Sequence, residues 1–297
     1  MSPMMIVVTG ATGRTGRRAA EALLAKGEKV RVIGRDAKKL APLARLGAEP
    51  FVGNVENIDS MTKAFDGASA VYLVLPEDMS QQDLRAHQEC VSGCYAAAIT
   101  EAHVRFAVNL SSIGAQHAQN TGPIAGLHNQ EQKLNRVAGL NVLHLRAAYF
   151  MENLLMSLAP LRSTGTLPGG LQADAAIPWV ATKDIGEYAA CRLAARDFSG
   201  SSVQNSTGSG TSPCRRRLQL FATLSANRIS HTSMCRAGYL GRQLLTWDYL
   251  RRPQNCLSKC GTVRMRASSC LRRCARQKTR RLLGSNHSSV RSSCPRI

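Results

Sequence analysis

Short apolar, β-branched runs alternate along the first two thirds of the chain with longer segments in which apolar positions recur every three or four residues. Met5 to Thr9 is followed by helical periodicity from Arg17 to Lys26, Lys29 to Ile33 by Ala37 to Leu46, and Pro50 to Val52 by Ile58 to Phe65. The rhythm continues through Ala70 to Leu75, a helix over Gln82 to Ala102, a strand over Val104 to Leu110, a helix over Asn129 to Ala138 and a strand over Asn141 to Arg146. Strands joined by helix-length crossovers pair in parallel. The pattern therefore predicts an α/β fold, a Rossmann-like doubly wound parallel sheet with helices on both faces. On the first helix, Ala20, Leu23 and Leu24 form one apolar stripe, while Arg17, Arg18 and Lys26 can stay in water.

Directly after the first strand stands Gly10-Ala11-Thr12-Gly13-Arg14-Thr15-Gly16, a GxxGxxG loop that opens the first helix. Glycines there let the backbone turn tightly and approach a pyrophosphate, and the free N–H groups at the helix start face the anion. The second strand ends at Ile33-Gly34-Arg35-Asp36. At this strand end an acid would hold the ribose 2′-hydroxyl of NAD and an arginine the 2′-phosphate of NADP. Arg35 comes first, which favours NADPH over NADH; Asp36 also reads as the N-cap of the helix beginning at Ala37. Lys38 and Lys39 read as a solvated helix face.

The segments VVTGATGRTG, VIGRD, GNVEN, VYLVLPED, NLSSIGA, LRAAYFMENLL and IPWVATKDIGEYAA resemble the NmrA-like branch of the atypical short-chain dehydrogenase/reductases over about residues 4–203. The resemblance implies that Gly10, Ala11, Thr12, Gly13, Arg14, Thr15 and Gly16 hold the pyrophosphate and Arg35 the 2′-phosphate. It also implies that Asn54, Leu75 and Pro76 lie beside the adenosine half, and that Ser111 and Ser112 end the fifth strand where ordinary members place a catalytic serine. Members of the family include flavin-free azoreductases, quinone reductases and triphenylmethane-dye reductases, and also redox-sensing regulators that have lost catalysis.

One departure bears on the chemistry. The Tyr-x-x-x-Lys pair of ordinary members is missing from Leu127-His128-Asn129-Gln130-Glu131-Gln132-Lys133. Without that tyrosine the donor for carbonyl reduction is lost, whereas hydride delivery to an electron-poor planar acceptor needs chiefly positioning. Lys133 is the candidate for the nicotinamide ribose and His128 for holding substrate or donating a proton. Tyr149, Phe150 and Asn153, beyond the sixth strand together with Arg146, are candidates for an aromatic substrate pocket. Asp184 reads as an N-cap. The expected activity is an azo or quinone reductase without flavin or metal, acting on a small aromatic substrate. The competing reading is a non-catalytic NADP sensor.

Composition changes this picture at one place. Up to Gln204 the chain has 20 Lys and Arg against 18 Asp and Glu; from Asn205 onward it has 19 against the single acid Asp248. Residues 1–203 therefore form the nucleotide-binding domain, and residues 204–297 a basic region rich in Arg, Ser and Cys, predicted to lack a packed core of its own. A genuine basic region would bind nucleic acid through phosphate contacts. It carries no helix-turn-helix pattern or repeat, and Cys256, Cys260, Cys270 and Cys274 lack the spacing of a zinc site. Reading the third base of each codon with the first two of the next permits RDLTM over 209–214, GKPDLxYVxVP over 225–235 and MGLPK over 246–250, strings similar to the family's C-terminal half. The region from about Asn205 is accordingly read as out of frame, in place of the lobe that would shape the substrate pocket. The N-terminus has no basic region before its apolar run, and no run approaches the roughly 18 apolar residues of a membrane span. Cys90, Cys94 and Cys191 show no disulfide spacing, so a cytoplasmic setting without membrane association is expected, with the oligomeric state open.

Overall fold

The computed structural model describes residues 4–78, 80–156 and 176–208, and the backbone of 211–213. Seven strands form one parallel sheet: β1 (Met5–Val8), β2 (Lys29–Gly34), β3 (Glu49–Val52), β4 (Ala68–Val74), β5 (Phe106–Ser112), β6 (Asn141–Ala147) and β9 (Ser201–Ser206), in the order β3-β2-β1-β4-β5-β6-β9. The crossovers carry α1 (Arg14–Ala25), α2 (Ala37–Ala44), α3 (Ile58–Phe65), α4 (Leu84–Glu101) and α5 (Ile124–Leu134). Beyond β6 come β7 (Tyr149–Phe150), α6 (Asn153–Met156), β8 (Ala176–Val180) and α7 (Thr182–Ala195). The backbone of β10 (Thr211–Pro213) runs antiparallel to β8, which also pairs in parallel with β7.

Strand alternation explains the two cores. Ile6 and Val8 point to one face, with Val32, Tyr72 and Leu145, under α1 and α7. Val7 points to the other, with Ile33, Val71 and Leu73, under α3, α4 and α5. Both faces are dry because period-2 strands that are apolar at every position need cover on both sides. The helix α7 lies so close to α1 that a Cβ on Gly186 would fall 2.8 Å from the backbone nitrogen of Ala19.

The doubly wound sheet is the expected one. Its details differ at four places. Helix α1 begins at Arg14, not Arg17, because the last glycine of the loop is itself helical. Helix α5 begins at Ile124, not Asn129: Pro123 opens it, and Gly126 inside it packs against Gln88, where a Cβ would come within 2.0 Å of a side-chain oxygen. The sheet continues past residue 203, since Asn205 and Ser206 pair with Arg146 and Ala147. Asp184 lies in the first turn of α7, whose N-cap is Ala181; the N–H of Thr182 is satisfied from a distance by the Glu152 carboxylate at 2.9 Å. The basic region from 214 onward, with its cysteines, lies outside the described residues.

Candidate active site

The strand ends converge on one edge of the sheet. Thr9 closes β1 against β4 by donating its hydroxyl to the Tyr72 carbonyl at 3.0 Å and accepting from the Val74 N–H at 2.8 Å. The chain then leaves the sheet through Gly10, whose φ of 59° puts it in the left-handed region. A Cβ on Gly16 would stand 2.3 Å from the Gly10 carbonyl oxygen, so only glycine allows α1 to start this close to the strand. The N-cap Gly13 brings no side-chain cap, and the first turn of α1 holds no acid. The first N–H groups of a 12-residue helix thus stay available at a glycine-lined turn, which fits a pyrophosphate on both steric and electrostatic grounds.

Arg35 follows the end of β2, exposed, with the Asp78 carboxylate near enough to feel its charge. Asp36 is the N-cap of α2, its carboxylate accepting from the Lys38 N–H at 2.8 Å. A cavity of about 220 Å³ between the loop and α2 is lined by Ala11, Thr12, Arg17, Lys39 and Pro42, so Lys39 borders the loop instead of facing only solvent. Asn54 is exposed and closes a turn by accepting from the Glu56 N–H at 3.1 Å, which leaves its NH₂ outward. Leu75 is buried in the core; Pro76 is half-buried beside it.

At the far end of the edge the expected residues are tied to neighbours. The Lys133 ammonium pairs with Glu89 across the α4–α5 interface and donates to the Glu89 carbonyl at 3.0 Å and to Ser92 at 3.2 Å. Lys133 is therefore a brace between two helices. Ser111 is buried and donates its hydroxyl to Glu131 at 2.5 Å, which leaves its oxygen as an acceptor. Glu131, with only 2% of its side chain exposed, also takes two bonds from Arg146, at 3.0 and 2.6 Å. This buried carboxylate ties β5, α5 and β6 together just below the strand ends. Next to it, His144 accepts from Asn109 at 3.1 Å and donates to Asn135 at 2.8 Å, and burial lowers its pKa to about 4, leaving it neutral.

His128 contacts the Ala115 carbonyl through Nδ1 at 2.7 Å, so Nδ1 carries the proton and Nε2 is the nitrogen left for other partners. Tyr149 meets the fully buried Trp179 edge to face at 5.0 Å, and Phe150 packs on the core. The Asn153 side-chain oxygen accepts from Arg14 at 3.0 Å, joining the glycine loop to α6. Among the described residues no cluster of three His, Cys, Asp or Glu is placed to hold a metal, no helix is long and apolar enough to cross a membrane, and Cys90, Cys94 and Cys191 are free thiols.

A parallel sheet with this order and a glycine turn at β1–α1 defines a dinucleotide-binding protein. The family model described as NAD(P)H-binding matches residues 10–187, and the chain belongs to that family, in agreement with its NmrA-like resemblance. The chain is 29% identical over 196 residues to the (4-alkanoyl-5-oxo-2,5-dihydrofuran-3-yl)methyl phosphate reductase of Streptomyces griseus, covering 66% of this chain and 65% of the relative. It is 25% identical over 187 residues to the NAD(P)H azoreductase of Xenophilus azovorans, covering 62% of each. The chain thus spans less than two thirds of the length of these curated relatives. In fold it is similar to an NADPH-dependent quinone oxidoreductase from Escherichia coli complexed with NADPH, with a TM-score of 0.66 at 20% identity over 78% of each chain.

Proposed function

We propose that this protein is an NADPH-dependent, flavin-free reductase that passes hydride to a planar aromatic acceptor of the azo or quinone class. The observation that carries this reading is the uncapped start of α1 behind a glycine turn, with the exposed Arg35 at the neighbouring strand end. Two curated relatives named as reductases support it. The bound nicotinamide cofactor supplies the hydride. The N–H groups of α1's first turn hold the pyrophosphate, and Arg35 takes the 2′-phosphate by a charge-assisted pair. The Arg14–Asn153 bond couples that loop to α6, next to the Tyr149 ring that walls the acceptor. His128, fixed through Nδ1, presents Nε2, which delivers the proton that accompanies hydride after taking one up from solvent, leaving the neutral Nδ1–H imidazole behind.

Replacing Arg35 with alanine tests the cofactor half. NADPH affinity is expected to fall about tenfold or more, the loss of one charge-assisted bond, with NADH affinity unchanged. Equal losses for both cofactors would overturn the role of Arg35.

The region from about Asn205 onward is read as out of frame, where the acidic residues all but vanish from the chain. The family match ending at 187 is consistent with this. Sequencing the coding DNA across Val203 to Ser209 is expected to show one missing or extra base; an intact frame would contradict it.

A further inference from the structure

The edge of the sheet opposite the glycine loop carries an open groove of about 800 Å³. Lys29, Arg31, His103, Arg105 and Arg196 line it, with Asp66 as the one acid among its lining residues, and Met5 and Phe106 form part of its apolar floor. Arg31 is engaged with Glu49 at 2.8 Å and with the carbonyls of Ala64 and Asp66. Lys29, Arg105 and Arg196 pair with no carboxylate among the described residues; the nearest polar partner of Arg196 is the Ser69 hydroxyl, at 3.4 Å.

The backbone gives a second, independent observation. The first left-handed residue after α1, α2, α3 and α5 is a glycine, namely Gly27, Gly47, Gly67 and Gly139. After α4 and α7 it is His103, at φ 53°, and Arg196, at φ 48°, and both line this groove. A side chain in that conformation is strained where glycine would be relaxed. Helix C-termini attract cations, which accounts for a positive charge near these turns but not for placing it on the strained residue itself. Strain retained at two positions facing one cavity points to a ligand.

We propose that this groove binds an oligophosphate of nucleotide size, at a site separate from the cofactor loop. Three unpaired cations supply charge-assisted bonds to phosphate oxygens, and the volume matches that of small-molecule sites. The site stands on these residues alone and does not depend on what the reductase accepts.

The test is calorimetric titration of the full chain with inorganic tripolyphosphate and, separately, ATP, at fixed salt with NADPH saturating. Arg105→Ala and Arg196→Gly are each expected to weaken binding about tenfold or more. Arg196→Gly is also expected to raise Tm by a few degrees, on the order of 2–4 °C, so its loss of binding cannot be a failure to fold. Tighter binding of ATP than of tripolyphosphate assigns the groove to nucleotides, and equal binding assigns it to plain oligophosphate. Binding that is absent, or unchanged in both variants because it occurs on the basic C-terminal region, overturns the proposal.

Discussion

Replacing Gly16 with alanine isolates the geometry on which the cofactor site rests. The new Cβ would stand 2.3 Å from the Gly10 carbonyl oxygen, 2.6 Å from its carbon and 2.9 Å from the Thr9 oxygen. All three are backbone atoms at the end of a central strand, so no side-chain rotation relieves the overlap. Restoring ordinary contact moves the start of α1 by about 1 Å, enough to stretch a hydrogen bond of about 2.9 Å beyond useful length. Losing one charge-assisted bond to the pyrophosphate, at about 1.5–3 kcal/mol, corresponds to a weakening of NADPH binding by about tenfold to 150-fold. The same overlap costs about 1–3 kcal/mol of stability. Gly27→Ala is the control, because its φ of 77° strains the backbone while its Cβ would meet nothing within 4 Å. Titration by NADPH fluorescence, with thermal melts of both variants, reads the two effects apart. If Gly16→Ala folds and binds NADPH within twofold of the parent, the assignment of the loop is wrong.

Three further outcomes follow from buried contacts. Glu131→Gln leaves the Arg146 charge without its carboxylate and is expected to cost about 3 kcal/mol, the low end for a broken buried pair because Arg146 has further contacts; chemical denaturation checks it. Gly186→Ala places a Cβ 2.5 Å from the Arg18 Cβ and 2.8 Å from the Thr15 carbonyl, and should lower Tm through a loss of about 2 kcal/mol, read by thermal melts. His144 is held neutral to about pH 4 against an ordinary 6.5, so the unfolded chain takes up its proton first as pH falls. Its contribution, on the order of 3 kcal/mol, is whole above pH 6.5 and disappears progressively down to pH 4. A His144→Asn variant should show a shallower loss of stability across that window.

What could be read from the chain was what depends on neighbours in sequence. The glycine turn between the first strand and first helix, the N-cap at Asp36 and the alternation of strands with crossover helices are local, and the structure has all three. The contacts that shape the candidate site join residues far apart and have no periodic signature: Arg14 with Asn153, Glu152 with Thr182, and Glu131 with Ser111 and Arg146. Spacing places Lys133 on a helix but does not say which side α4 covers; Glu89 on that helix decides its pairing. Helix α5 starts earlier than the periodicity predicts because Pro123 and Gly126, residues common in loops, open it and let it pack against Gln88.

The central claim is that a cofactor held at the β1–α1 turn reduces an external planar acceptor without flavin. The most direct measurement is anaerobic turnover of flavin-free full chain, following NADPH oxidation and acceptor reduction together with a quinone and with an azo dye. The account predicts equimolar consumption of NADPH per two electrons accepted, unaffected by added flavin and slowed by His128→Gln. Tight NADPH binding with no oxidation in the presence of either acceptor, by a chain whose reading frame across Val203 to Ser209 sequencing has established, would contradict it and identify the chain as a sensor of NADP.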